Sequence, residues 1–106
     1  MKFAVYRTNT FEKEFYKSSK KEQEEIEKFE KKLIDNPFLG KPLGHKFFRE
    51  KRLNNKRIYF LIYESLVIVP MVGMSDKKAQ QATIDKIKNS LDDFYELMKK
   101  ELKPLF

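Results

Sequence analysis

The chain has 106 residues, no cysteine, one histidine and a formal net charge of +7. That length holds one domain with one modest hydrophobic core. The absence of cysteine and the lone His45 exclude disulfides, thiolate metal sites and a histidine metal cluster. A reducing cytoplasm is the expected compartment.

Lys2–Arg7 alternates, with Phe3 and Val5 on one face and Ala4 and Tyr6 on the other, and predicts a strand. This opening lacks the apolar region of a signal peptide. Thr8-Asn9-Thr10 offers N-caps to a short helix that carries Phe11 and Phe15 four residues apart. Ser19 and Glu22 have the spacing of a capping box at the start of a second helix. Its apolar stripe is Ile26, Phe29 and Leu33, its other face is dense in Glu and Lys, and Asn36-Pro37 ends it.

Residues 37–44 carry two prolines and two glycines and predict a loop. Three strand-like runs follow, Lys46–Leu53, Arg57–Tyr63 and Leu66–Gly73. The connections Asn54-Asn55 and Glu64-Ser65 are short, so neighbouring strands should be antiparallel. Pro70 cannot donate to a ladder and predicts an edge position or a bulge. From Ser75 or Asp76 one long helix is expected over about 76–103, with the stripe Ile84, Ile87, Leu91, Phe94 and Met98. The longest apolar run, Leu66–Gly73, is too short to span a bilayer, so no membrane partner is expected.

The order β-α-α-β-β-β-α predicts a single α+β domain over residues 1–106. It should be a mainly antiparallel sheet with helices on one face. The expected core is Phe3, Val5, Phe15, Ile26, Phe29, Leu33, Ile58, Phe60, Ile62, Val67, Val69 and Ile84.

The charge is concentrated. Residues 36–60 hold seven Lys or Arg against one acid, a net of +6, whereas 1–35 carry +1 and 61–106 are neutral. A single-sign field on a hairpin with interleaved aromatics points to a polyanion, and RNA or DNA is the usual one. Lys46, Arg49, Lys51, Lys56 and Tyr59 are the candidate RNA contacts. In the run Arg57–Tyr63, Ile58, Phe60 and Ile62 share one face, which should pack on the helices. Arg57, Tyr59, Leu61 and Tyr63 share the other, which should face outward or into a cleft. Arg52 and Arg57 flank the turn. A phosphate between them would satisfy both guanidiniums, or one or both pair with Glu50 or Glu64. No Gly-rich phosphate loop, HExxH or CxxC is present, and no metal or cofactor is expected.

Three segments in order carry a family resemblance: Asn36-Pro37-x-x-Gly40-Lys41-Pro42-Leu43, then Phe48-Arg49-Glu50-Lys51-Arg52-Leu53, then Lys56-Arg57-Ile58-Tyr59-Phe60-Leu61-Ile62-Tyr63. Together they resemble the RelE/ParE superfamily of toxins from type II toxin–antitoxin modules. The run from Ser75 to Ile84 is similar to an archaeal-type branch of RelE-like proteins. The resemblance covers about residues 2–95 and implies a RelE-like fold.

It further implies an mRNA interferase that enters the ribosomal A site and inhibits translation by cutting mRNA. The reaction implied is attack of the RNA 2′-hydroxyl on the adjacent phosphate. The implied partners are mRNA, the ribosome and a cognate acidic antitoxin, with no small-molecule cofactor. Arg57 and Arg52 take the role of stabilising charge on the phosphorane, and Lys77 or Lys78 that of proton transfer; Gln80 and Gln81 either contact bases or fill a helix surface. On this assignment Arg57→Ala abolishes activity and leaves the protein folded. The chain departs from many members in having no Tyr or His shortly after Met74. Two other functions stay open on the same scaffold: a ParE-like inhibitor of DNA gyrase and a non-toxic RNA-binding module.

Overall fold

The computed structural model describes residues 2–101. Strand β1 (Ala4–Arg7) leads into helices α1 (Asn9–Lys17) and α2 (Lys20–Asp35). Strands β2 (Lys41–His45), β3 (Phe48–Leu53) and β4 (Lys56–Leu61) follow. A 3₁₀ turn at Glu64–Leu66 precedes β5 (Ile68–Asp76) and helices α3 (Gln80–Lys88) and α4 (Leu91–Glu101). The sheet order is β1-β5-β4-β3-β2. β1 runs parallel to β5, and the other pairings are antiparallel. The α+β class holds.

Local chemistry sets the first helices as expected. The Thr8 hydroxyl accepts from the Phe11 amide, and the Ser19–Glu22 capping box is complete on both sides. Asn54-Asn55 closes a two-residue hairpin with Leu53 opposite Lys56 and Arg52 opposite Arg57.

The sheet is covered on both faces rather than one. Phe11 and Phe15 of α1 and Ile26, Phe29 and Leu33 of α2 pack against Ile58, Phe60, Ile62, Val69 and Met71. On the other face Ile84 and Ile87 of α3 close over Phe48, Tyr59, Leu61 and Val72, with Leu91 and Phe94 of α4 alongside. This second layer exists because the expected helix over 76–103 is two helices that turn at Asn89-Ser90. Residues 102–103 lie outside the described residues. Tyr59 and Leu61, expected to face outward or into a cleft, are therefore fully buried.

Other departures are local. The Pro/Gly-rich segment forms the edge strand β2, whose Pro42 is tolerated because only one side of the strand pairs. β5 is interior, so Pro70 is not at an edge. The ladder to β4 shifts at Val72, where Tyr59 faces Gly73 and Phe60 faces Met71, and a bulge thus lies two residues from the proline. Val67 takes a left-handed conformation (φ 54°) at the end of the 3₁₀ turn and is half-buried, as are Phe3 and Val5 on the edge side. The remaining expected core residues are buried.

Gly40 enters β2 at φ 76°, and a Cβ there would collide with the Glu50 carbonyl. Gly40→Ala is expected to lower stability by at least about 2 kcal/mol, the left-handed backbone penalty plus the clash. Urea unfolding measures it, and an unchanged midpoint would contradict the local geometry.

Candidate nucleic-acid interface

The two arginines expected at the turn are directly opposed across β3 and β4, on the face covered by α3. Their environments differ sharply. Arg52 is exposed, and Arg57 is only 6% exposed. The Arg57 Nε lies 3.3 Å from Oε1 of Glu50, itself 7% exposed. Its N–H is not aligned with that carboxylate, and it lacks a hydrogen-bond acceptor among the described residues. Gln80, the first residue of α3, donates its amide N–H groups to both Glu50 oxygens at 3.2 and 3.0 Å. Arg57 faces Ser75 on β5, and the Ser75 hydroxyl pairs with the Tyr59 hydroxyl at 2.8 Å. Burial pushes the Tyr59 phenol up, and the Ser75 hydrogen bond opposes that shift. Of the alternatives open in the sequence, Arg57 pairs with Glu50, and Glu64 is exposed on the 3₁₀ turn.

Ser75 joins the cluster as a strand residue rather than a helix cap, and Gln80, expected as a base contact, is instead held on Glu50. One signal was present: Glu50 is the single acid in residues 36–60. A lone carboxylate in a cationic strand is where a buried pair is expected.

Lys77 and Lys78 are exposed in the turn that joins β5 to α3, beyond the Asp76 that faces Lys56. Asp76 accepts from the Ala79 amide at 2.8 Å, so it closes this turn instead of capping the helix, which begins at Gln80. Gln81 is exposed, and its amide is held by Asp85 at 2.9 Å.

The remaining candidates separate into outward and inward groups. Lys46 is exposed with its ammonium 4.8 Å from the Phe38 ring centroid, and Lys51 reaches over Phe29 of α2 at 5.5 Å. Lys56 is tied inward to Glu22 at 3.2 Å and to the Ser18 hydroxyl at 3.3 Å. The Ser19 backbone bond, with help from Lys56, holds the Glu22 carboxyl below its ordinary range.

Arg49 and Tyr59 lie inward. Arg49 is 9% exposed and donates to the carbonyls of Leu39 (2.7 Å), Lys46 (3.0 Å), Phe38 (3.3 Å) and Gly40 (3.2 Å). Its guanidinium stitches the Phe38–Gly40 segment to the hairpin and is spent on backbone. Tyr59 is sealed under α3 and offers no ring face to a base. The exposed cations of the basic segment are Lys41, Lys46 and Arg52, joined by Lys77 and Lys78.

No family model and no curated protein matches this chain. Solved structures do. Over 84% of this chain and 98% of the other, it superposes on a free double-arginine mutant of the Escherichia coli toxin RelE, with TM-score 0.72 and 16% identity. A toxin–antitoxin complex, RelBE2 from Mycobacterium tuberculosis, matches with TM-score 0.63 and 18% identity, over 73% of this chain and 100% of the other. The intact E. coli RelBE complex matches with TM-score 0.63 and 15% identity, over 70% and 95%. The architecture is thus the fold of these RelE structures. The resemblance carried by residues 36–63 holds at the level of fold, and the particular neighbours are RelE toxins.

Proposed function

We propose that the chain is the toxin of a type II toxin–antitoxin module and acts in the cytoplasm as a ribosome-dependent mRNA endonuclease. The observation that carries this reading is the cluster at the basic end of the sheet. Arg52 and Arg57 oppose each other, with the Glu50 carboxylate 3.3 Å from Arg57, on a fold shared with RelE toxins.

Each group has a role in cleavage by the 2′-hydroxyl. Lys77 or Lys78, both exposed, takes the hydroxyl proton as the hydroxyl oxygen attacks the adjacent phosphorus, and Glu50, buried with both oxygens held by Gln80, acts through Arg57. Arg52, with Lys77 or Lys78, stabilises the charge on the phosphorane from the solvent side. One of these lysines gives a proton to the departing 5′-oxygen. Arg57 works from beneath: paired with Glu50, it adds buried positive charge under the phosphate.

E. coli RelE has been solved with an antitoxin RelB peptide, and RelBE complexes share the fold. A cognate acidic antitoxin for this chain would mask the same exposed cations and block RNA.

Cleavage of ribosome-bound mRNA tests the assignment. Arg52→Ala should cut about 10²–10³ more slowly than wild type, the usual loss for one transition-state donor. Its exposure predicts an unchanged unfolding midpoint. Equal cleavage by both proteins removes Arg52 from the reaction. A wild type that cuts nothing overturns the nuclease reading. A supercoiling assay and growth on expression then separate gyrase inhibition from a non-toxic binding module.

A further inference from the structure

A second group of cations and aromatics lies at the His45 end of β2, the edge strand whose other end, Lys41, faces Glu50. The segment from Asn36 to Arg49 contains no acidic residue. Within it His45 is exposed, and its ring stacks on Phe47 with centroids 4.8 Å apart and planes 21° from parallel. Phe47 is a fixed support. It packs half-buried against both cores, and its carbonyl accepts from the Ile62 amide at 2.8 Å. One imidazole face is therefore occupied, and the exposed surface of the ring lies on the side away from Phe47.

Three lysines lie near this segment. Lys46 follows it directly, held on the Phe38 ring. Lys88, at the end of α3, reaches Gly44, where an added Cβ would meet its Nζ at 3.4 Å. Lys41 is exposed at the other end of β2. A pre-stacked planar ring with lysines near it, in a segment without acids, offers what a single-stranded nucleotide needs: a π face for the base and cations for its phosphates.

We propose that His45, supported by Phe47, is a base-stacking subsite for single-stranded RNA, with Lys46 and Lys88 on the flanking phosphates. The proposal rests on the RNA-binding reading above and adds a contact that fixes where the strand lies. His45 pairs with Phe48, and Arg52 is four residues further along β3, about 13 Å at 3.3 Å per residue. The subsite would thus hold RNA about 13 Å from Arg52.

The experiment compares a short single-stranded RNA with the same strand carrying one abasic ribose, by fluorescence anisotropy at two salt concentrations. Wild type should bind the complete strand about tenfold more tightly, within the range for one stacked base. His45→Ala should erase that difference and keep the salt dependence. His45→Tyr should retain it, because the stack and not the imidazole nitrogens carries the contact. Lys46→Ala should weaken both strands alike and reduce the salt slope by about 0.7. A His45→Ala protein that still prefers the complete strand places base recognition elsewhere and overturns the subsite alone. Failure of wild type to bind either strand at low salt overturns the RNA reading together with it.

Discussion

Arg57→Ala is expected to destabilise the protein by about 3–5 kcal/mol, toward the lower end of that range. The sequence alone gives the opposite expectation, a folded but inactive variant. Burial reverses it. Arg57 is 6% exposed, and its removal strands the Glu50 carboxylate under α3. Gln80 still donates to both Glu50 oxygens, which softens the loss but leaves the charge unpaired. The partner change Glu50→Gln in the Arg57→Met background should recover much of the stability, because no buried charge then remains. Urea unfolding of the three proteins checks this. An Arg57→Ala midpoint equal to wild type would mean that Arg57 is solvated in solution. The comparison also separates roles: Arg52→Ala reports on phosphate chemistry at constant stability, and Arg57→Ala cannot.

Truncating the central strand should cost as much by a different mechanism. Phe60 is fully buried in β4, and its ring meets Phe29 of α2 edge-on at 5.6 Å between centroids. Phe60→Ala is expected to lose about 3–5 kcal/mol through the transfer of the ring and the cavity left behind. For a domain whose total stability is on the order of 5–15 kcal/mol, this is a large fraction of the whole. Tyr16→Ala is the control, since Tyr16 is 66% exposed on α1 and should change stability by no more than about 0.5 kcal/mol. A Phe60→Ala loss below about 1 kcal/mol would show that β4 does not bridge α2 and the sheet as described.

Local signals determined much of this protein by themselves. Ser19 and Glu22 fixed the start of α2, since both halves of a capping box lie within one turn of each other. Alternation placed Ile58, Phe60 and Ile62 on one inward face, and two adjacent asparagines set the β3–β4 turn and so the opposition of Arg52 and Arg57. The excess charge of residues 36–60 was also visible, because net charge is a sum over sequence.

Which of those charges meet solvent was decided only by tertiary structure. The break at Asn89-Ser90 folds α3 and α4 over the second face of the sheet, and that cover buries Tyr59, Arg57 and Glu50. Alternation assigns residues to faces but does not say whether a face is covered. Arg49 turned inward to four carbonyls that flank β2, those of Phe38, Leu39, Gly40 and Lys46, a set of partners that no residue pattern displays. β2 itself reads as a Pro/Gly loop, since an edge strand forms through backbone pairing with β3. Gln80 joined Glu50 across thirty residues for the same reason. Sequence records the periodicity and capping that act within a few residues, and burial and long-range pairing exist only once the layers have met.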